Sequence, residues 1–352
     1  MRKDAGFSMV ELVMAIAITV IVVTVTLGLL TDAMHGNQHV TQTAGMVDNL
    51  RAGLNLMVQD LLQAGASVPT GGISVPNGGG LAINRPSPPG QNYSFPVGTA
   101  SLPGIFPGAG LGPMNLGQIS DMVTILYADN TLPLNQRFIN DPAPPAPTIP
   151  CNGSISANGN SMTVDPACTN IGLPGSAIQP GDLIMFSNSM GNTLQTVTRV
   201  NGQTVSFAGN DPFNLNLRPD PQGTIRQIQS PPNSGNYPPT TATRVWMITY
   251  YLDDVTDPQH SRLVRQVNFN PPQPVAEVVE NLQLSYSFVD GVTNPTNQKT
   301  VPAGLSANQA RMVNLLLAAR SDNPDSQTRQ FIRSNLTTQV SLRSMAFVDR
   351  YK

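Results

Sequence analysis

One stretch limits what this chain can fold into. Residues 7–30 are almost uniformly apolar, and Glu11 is the only side chain between Asp4 and Thr31 that ionises. A helix rising about 1.5 Å per residue covers roughly 36 Å over that stretch, enough to cross a hydrocarbon core. A carboxylate in such a segment costs about 3 kcal/mol at mid-bilayer and less near the interface. Its presence points to a partner acquired on assembly. The alternative is a plain signal anchor that tolerates one polar residue near its end.

The flank separates these readings. Met1-Arg2-Lys3-Asp4-Ala5-Gly6 is a short basic leader ending in Gly. An ordinary secretory signal is longer and is cut after its apolar region. Gly6-Phe7-Ser8-Met9-Val10-Glu11-Leu12 resembles the class III signal of type IV prepilins and pseudopilins. The resemblance implies cleavage after Gly6 by a prepilin peptidase, N-methylation of Phe7, and a role for Glu11 in subunit assembly. Arg2 and Lys3 place this end in the cytoplasm by the positive-inside bias, and everything beyond Leu30 in the periplasm.

Composition fits an exported, loop-rich β protein. Charged residues are 11% of the chain, against about 25% in a typical soluble domain, and there are 32 prolines. A net charge of −2 argues against a nucleic-acid-binding surface. Cys151 and Cys168 lie in one polar region, and a local disulfide is expected in an oxidising compartment. Two free thiols are the alternative, and two Cys are too few for a metal site.

Beyond the membrane segment the helix is expected to run to residue 65. Ala44, Val47, Leu50, Leu54, Met57, Val58, Leu61 and Leu62 recur at helical spacing, with Asp48, Asn49, Arg51, Asn55, Gln59 and Asp60 on the other face. β-branched residues from 18 to 26, together with Gly28, make a weak point, and the resemblance implies a local melt there in assembled filaments. His35 and His39, near Asp32, read as a solvated helix face rather than a metal pair. Asp60-Leu61-Leu62-Gln63-Ala64-Gly65 resembles the helix end of PilW-type minor pilins, with Leu62 where the family often has Arg.

Segments 66–117 and 128–180 read as irregular surface. Asn77-Gly78-Gly79-Gly80 reads as a turn, since no Gly-Lys-Ser/Thr follows for a phosphate loop. Strands are expected at 121–127, 183–187, 193–200, 203–207, 244–252, 261–269, 309–319 and 337–348. Turns are expected at Gly191-Asn192 and Asn201-Gly202, and 219–239 is expected as a loop. Residues 275–286 read as a short helical turn followed by a strand. Asp253, Asp254 and Asp257 share one turn, where Asp is ordinary and Ca²⁺ ligation is the alternative. The order of an aromatic strand, Leu263-Val264-Arg265, then Glu280-Asn281-Leu282-Gln283-Leu284, resembles PilW-type minor pilins and J-type pseudopilins.

The expected fold is α+β: a long N-terminal transmembrane and amphipathic helix packed on an antiparallel β-sheet, with Pro/Gly-rich loop insertions. Residues 1–6 are the leader, 7–30 the membrane half of the helix, 31–65 its amphipathic half, and 66–352 the head. No catalytic constellation, cofactor motif or metal motif emerges. The resemblance implies a structural minor type IV pilin of the PilW type. Its partners would be the prepilin peptidase, other minor and major pilins, the inner-membrane assembly platform and membrane lipid. The alternatives are a J-type minor pseudopilin of a type II secretion system, a competence-pilus subunit, and an anchored adhesin.

Overall fold

The computed structural model describes residues 8–77, 82–115, 117–129, 132, 134, 153–166, 169–171, 178–218 and 222–347. One helix, α1 (Met9–Gln63), runs unbroken through the β-branched stretch and Gly28. Thr19, Thr24 and Thr26 donate their hydroxyls to the carbonyls of Ala15, Val20 and Val22 at 2.7–2.8 Å. That bond satisfies a hydroxyl without water, and the helix of the isolated chain is intact there. Every side chain from Ser8 to Met34 is exposed, and this part is long and apolar enough to cross a membrane. The helix ends where expected. Gly65 takes a left-handed φ of 75°, and its N–H turns to the carbonyl of Leu126 at 2.8 Å.

The head is built from strands paired antiparallel. β1 (Ile73–Ser74) pairs with β2 (Ser101–Leu102); β3 (Ile105–Gly108), the hairpin of β4 (Met114–Asn115) and β5 (Gln118–Ile119), and β6 (Met122–Asp129) follow. β7 (Ser154–Ile155) and β8 (Ser161–Thr163) precede β9 (Leu183–Asn188), β10 (Gly191–Thr196), β11 (Arg199–Asn201) and β12 (Thr204–Ser206). The chain then forms β13 (Thr241–Asp253), β14 (Arg262–Val267), β15 (Gln273–Ala276), β16 (Val279–Phe288), β17 (Ala310–Arg320) and β18 (Arg333–Ser341).

β13 is the axis of the large sheet. One of its edges is shared by β9, along 241–245, and β14, along 248–253; the other carries β6, with β3 beyond. β16, β17 and β18 make a second sheet, in that order. Met46, Leu50, Met57 and Leu61 of α1 pack with residues from both sheets, among them Ile125, Tyr250, Leu282 and Val313. This is a long apolar helix packed against antiparallel sheets, the α+β arrangement expected.

The opposite face of the large sheet is covered too. Val68, Ile73, Val75, Ile83, Phe95 and Leu102, all from the segment expected at the surface, bury against Leu126, Leu183, Val245 and Met247. They supply isolated apolar residues between turns, a pattern without periodicity. Arg85 in this segment is only 2% exposed. It donates to Thr124 Oγ1 at 2.8 Å, Phe106 O at 2.9 Å and Pro107 O at 3.2 Å, and burial lowers its pKa to about 10.

Several strands differ from expectation for local reasons. Residues 193–200 are not one strand: the Val197 N–H bonds to Asp182 O and Thr198 N–H to Ser206 O. The chain thereby passes from the large sheet into a small one of β11, β12, β8 and β7. The β9–β10 turn falls at Ser189-Met190, because Asn188 Oδ1 accepts the Met190 N–H at 2.9 Å. No helical turn precedes β16. Asn49 of α1 instead brackets Glu277, donating to its carbonyl at 2.8 Å and accepting its N–H at 3.3 Å, and Val278 takes a φ of 55°. Residues 219–239 hold buried Ile225, Ile228 and Tyr237. The last strand lies at 333–341, and a short 3-10 turn at Ser344–Phe347 follows it.

Two tyrosines give the head an alkaline limit. Burial pushes the phenols of Tyr250 and Tyr286 far upward, reinforced by Asp60 and Asp121 respectively. An unfolded tyrosine ionises near pH 10 while these hold their protons. Stability is therefore intact below about pH 10 and falls above it, by about 1.4 kcal/mol per pH unit for each such tyrosine. The fluorescence of Trp246, the only Trp, reports urea unfolding of the full chain in micelles. Its midpoint should drop between pH 8 and 10.5, and an unchanged midpoint would refute the coupling.

Candidate functional site

Chemistry-bearing groups on α1 gather at its N-terminal turn and at its seat on the head. At the first turn Ser8 is the N-cap, accepting the Val10 N–H at 3.3 Å, while Glu11 Oε2 accepts the Ser8 N–H at 2.9 Å. This capping box satisfies donors that a helix start leaves open. It also puts a carboxylate where the helix dipole favours one. The group lies exposed at the end of a bare apolar rod. Gly6 and Phe7 lie outside the described residues, as do Cys151 and Cys168.

The seat is a buried ionic cluster. Asp60, expected on the polar face of the helix, is 5% exposed. Its Oδ2 accepts from Tyr250 Oη at 2.6 Å and Arg265 Nε at 2.7 Å, and its Oδ1 from Arg265 Nη2 at 3.2 Å. Burial first, then Asp60, raise the Tyr250 pKa. Burial opposes the Arg265 charge, but Asp60 outweighs it and the net shift is upward. The signal was present in the spacing. Met46, Leu50, Gly53, Met57, Asp60 and Leu61 form the buried seam, and an acid on such a seam requires a cation from the facing strand. Gly53 lets that strand approach: a Cβ there would lie 2.9 Å from Ala276 Cβ and 3.2 Å from Leu263 Cδ2.

Asp253, Asp257 and His35 are occupied locally. Asp253 accepts the N–H groups of Val255 and Thr256 at 3.0 Å and the Thr256 hydroxyl at 2.6 Å, closing its own turn. Asp257 Oδ2 lies 2.9 Å from His260 Nδ1, whose Nε2 lies 3.1 Å from Asp322. His35 Nδ1 lies 2.7 Å from Ser326 Oγ. Among the described residues no three His, Cys, Asp or Glu side chains are grouped to hold a metal ion.

A bare apolar helix whose far half is locked under an antiparallel head is a pilin-like architecture. Residues 1–27 match the family described as the prokaryotic N-terminal methylation motif. The match covers the leader and most of the apolar run, and does not reach the head. The motif implies processing by a prepilin peptidase. No curated protein and no solved structure matches the chain.

Removing the carboxylate at the seat tests its weight. Asp60→Ala leaves a buried guanidinium and phenol without their acceptor, a loss of about 3–5 kcal/mol for a broken buried pair. Urea unfolding followed by Trp246 fluorescence measures it, and a wild-type midpoint would show the cluster idle.

Proposed function

We propose that the chain is a minor type IV pilin of the PilW type, a structural subunit that helps prime or cap pilus assembly. The observation that carries this reading is the first helical turn: a methylation motif running into an exposed apolar helix, with Glu11 at its N-terminus. The strand motifs around Arg265 and Leu284 support it by resemblance, and they fit a J-type pseudopilin as well. Pilus-assembly genes beside this one favour the first reading, secretion ATPase and outer-membrane genes the second. In either reading Arg2 and Lys3 stay cytoplasmic, residues 7–30 span the membrane, and the head faces the periplasm. Other pilins, the assembly platform and lipid are the partners.

Processing is the first test. Gly6→Leu should leave full-length protein in the membrane, whereas the unaltered chain should begin at Phe7 and carry an N-methyl group. N-terminal mass spectrometry decides it, and a mature start elsewhere would overturn the assignment.

Glu11 is the second. In a filament core without water, an unpaired carboxylate costs several kcal/mol and a paired one far less. The N-terminal ammonium of a neighbouring subunit is the complementary partner, so pairing selects axial register. Glu11→Ala should keep insertion and cleavage but reduce the subunit in sheared pili. Equal recovery with wild type would remove the pairing role.

We also propose a Cys151–Cys168 disulfide, based on two Cys close in sequence in an exported head. Closing so short a loop stabilises by about 3 kcal/mol in the chain-entropy account. Non-reducing peptide mapping that finds two free thiols would refute it.

A further inference from the structure

All three histidines of the chain gather on one loop, residues 321–332, which joins β17 to β18. The loop is folded on itself: Asp325 N–H bonds to Gln330 O at 2.9 Å and Arg329 N–H to Asp325 O at 2.8 Å. Near its start it meets the β13–β14 turn, where Asp322 Oδ1 lies 3.1 Å from His260 Nε2. Nearer its middle it meets α1, where Ser326 Oγ lies 2.7 Å from His35 Nδ1. Bonds from Thr328 first, and His39 of α1 last, hold the Asp325 carboxyl below its usual range. His35 lies eleven residues ahead of Met46, where the buried seam of α1 begins.

The contact at His260 differs in kind from the one at His35. Its Nδ1 lies 2.9 Å from Asp257 Oδ2 while its Nε2 faces Asp322, so both ring nitrogens meet carboxylates. A neutral imidazole has one N–H: it donates to one carboxylate and sets a lone pair against the other. Only the imidazolium donates to both. The coupling shows on the acid, because the bond from His260 is the first cause holding the Asp257 carboxyl below its usual range. Asp257 is also fixed by the N–H groups of Gln259 and His260, at 3.0 and 3.2 Å. Asp322, on the loop, is the partner that a neutral ring releases. His35 makes no such demand, since a serine hydroxyl donates or accepts as the ring requires.

The surrounding charges leave this balance in place. On the turn, Asp253 is paired with Arg262 at 3.4 Å, and Asp254 adds a further negative charge. From β17, Arg320 donates to Gln259 O and is a cation that opposes a second one nearby. Its guanidinium is matched by Glu280 of β16 at 3.5 Å and covered by the ring of Phe331.

We propose that the β17–β18 loop is a pH-set brace between head and rod, closed when a charged His260 bridges Asp257 to Asp322 and open when the ring is neutral. An imidazole changes charge between about pH 5 and 8. Closing the loop takes up a proton, so the closed form is favoured in acid and lost as pH rises through that range. The three side chains are 39–64% exposed, and water weakens such pairs. Two exposed pairs change an equilibrium by about three- to tenfold together. In the open form Ser326 leaves His35, and the membrane-proximal part of α1 is released from the loop.

The test uses the full chain in micelles carrying Gln327→p-benzoylphenylalanine, beside Ser326. Gln327 is exposed and is bonded through its N–H, which the substitution keeps. Irradiation should cross-link it to residues 34–42 of α1, read by peptide mass spectrometry. The yield should fall about three- to tenfold between about pH 5.5 and pH 8. His260→Gln and Asp322→Asn should each flatten that profile, with Trp246 fluorescence showing the head still folded. No cross-link to α1 at either pH, a yield that is constant with pH before these substitutions, or a fall that survives His260→Gln and is therefore carried by His35 or His39 would each overturn the proposal.

Discussion

The contact of Asp60 with Arg265 and Tyr250 decides how this chain is assembled from its parts. A helix and a sheet joined by apolar surface alone can slide by one turn or one residue at small cost. A carboxylate with three donors at 2.6–3.2 Å cannot. Moving α1 by one residue would leave a buried charge unpaired, at a cost of several kcal/mol. The cluster therefore fixes the register between the membrane rod and the head. It does so where β13 and β14 pair, with Tyr250 directly opposite Arg265.

The large sheet in turn explains the unusual composition. Its two faces are both buried, one by α1 and the other by the Pro- and Gly-rich segment 66–117. That segment has little regular structure to satisfy its own backbone. It relies instead on isolated apolar residues and on Arg85, whose guanidinium bonds two carbonyls of β3 and the hydroxyl of Thr124. The insertion is a second wall of the core rather than an appendage.

What could be read from the sequence followed from periodicity. The apolar run, the helix stop at Ala64-Gly65, β6, and the hairpin of β13 and β14 all carry strong local signals. Asp60 was misplaced because its polarity outweighed its position: three residues after Met57 it belongs to the seam, but alone it resembles any surface acid. The turn before β16 was misread for a similar reason. Val275 to Val279 has the composition of a helix, and the groups that make it extended belong to Asn49, more than two hundred residues away. The passage of the chain between sheets after Thr196 rests on main-chain bonds from Val197 to Asp182 and from Thr198 to Ser206, which carry no side-chain signal in the sequence. The roles proposed for Gly6, Phe7 and Glu11 rest on the sequence alone, because a peptidase signal and a lone acid in an apolar run are local patterns.

The geometry of α1 has a mechanical side. Residues 9–34 project beyond the head, which α1 first meets among the described residues at His35 against Ser326, a lever of roughly 39 Å at 1.5 Å per residue. The buried seam, from Met46 to Leu61, is roughly 24 Å long. A sideways push at the tip therefore reaches the seam as a torque rather than a pull. Apolar packing resists a pull along the axis poorly and a tilt hardly better, since neither changes much buried area at first. The polar anchors are placed to resist the tilt: Asn49 holds Glu277 near one end of the seam, and Asp60 holds Arg265 about three turns further on. Two fixed points separated along the axis act as a couple. The head is thereby turned by whatever turns the rod, and the orientation of every surface on it is dictated by how the helix is packed.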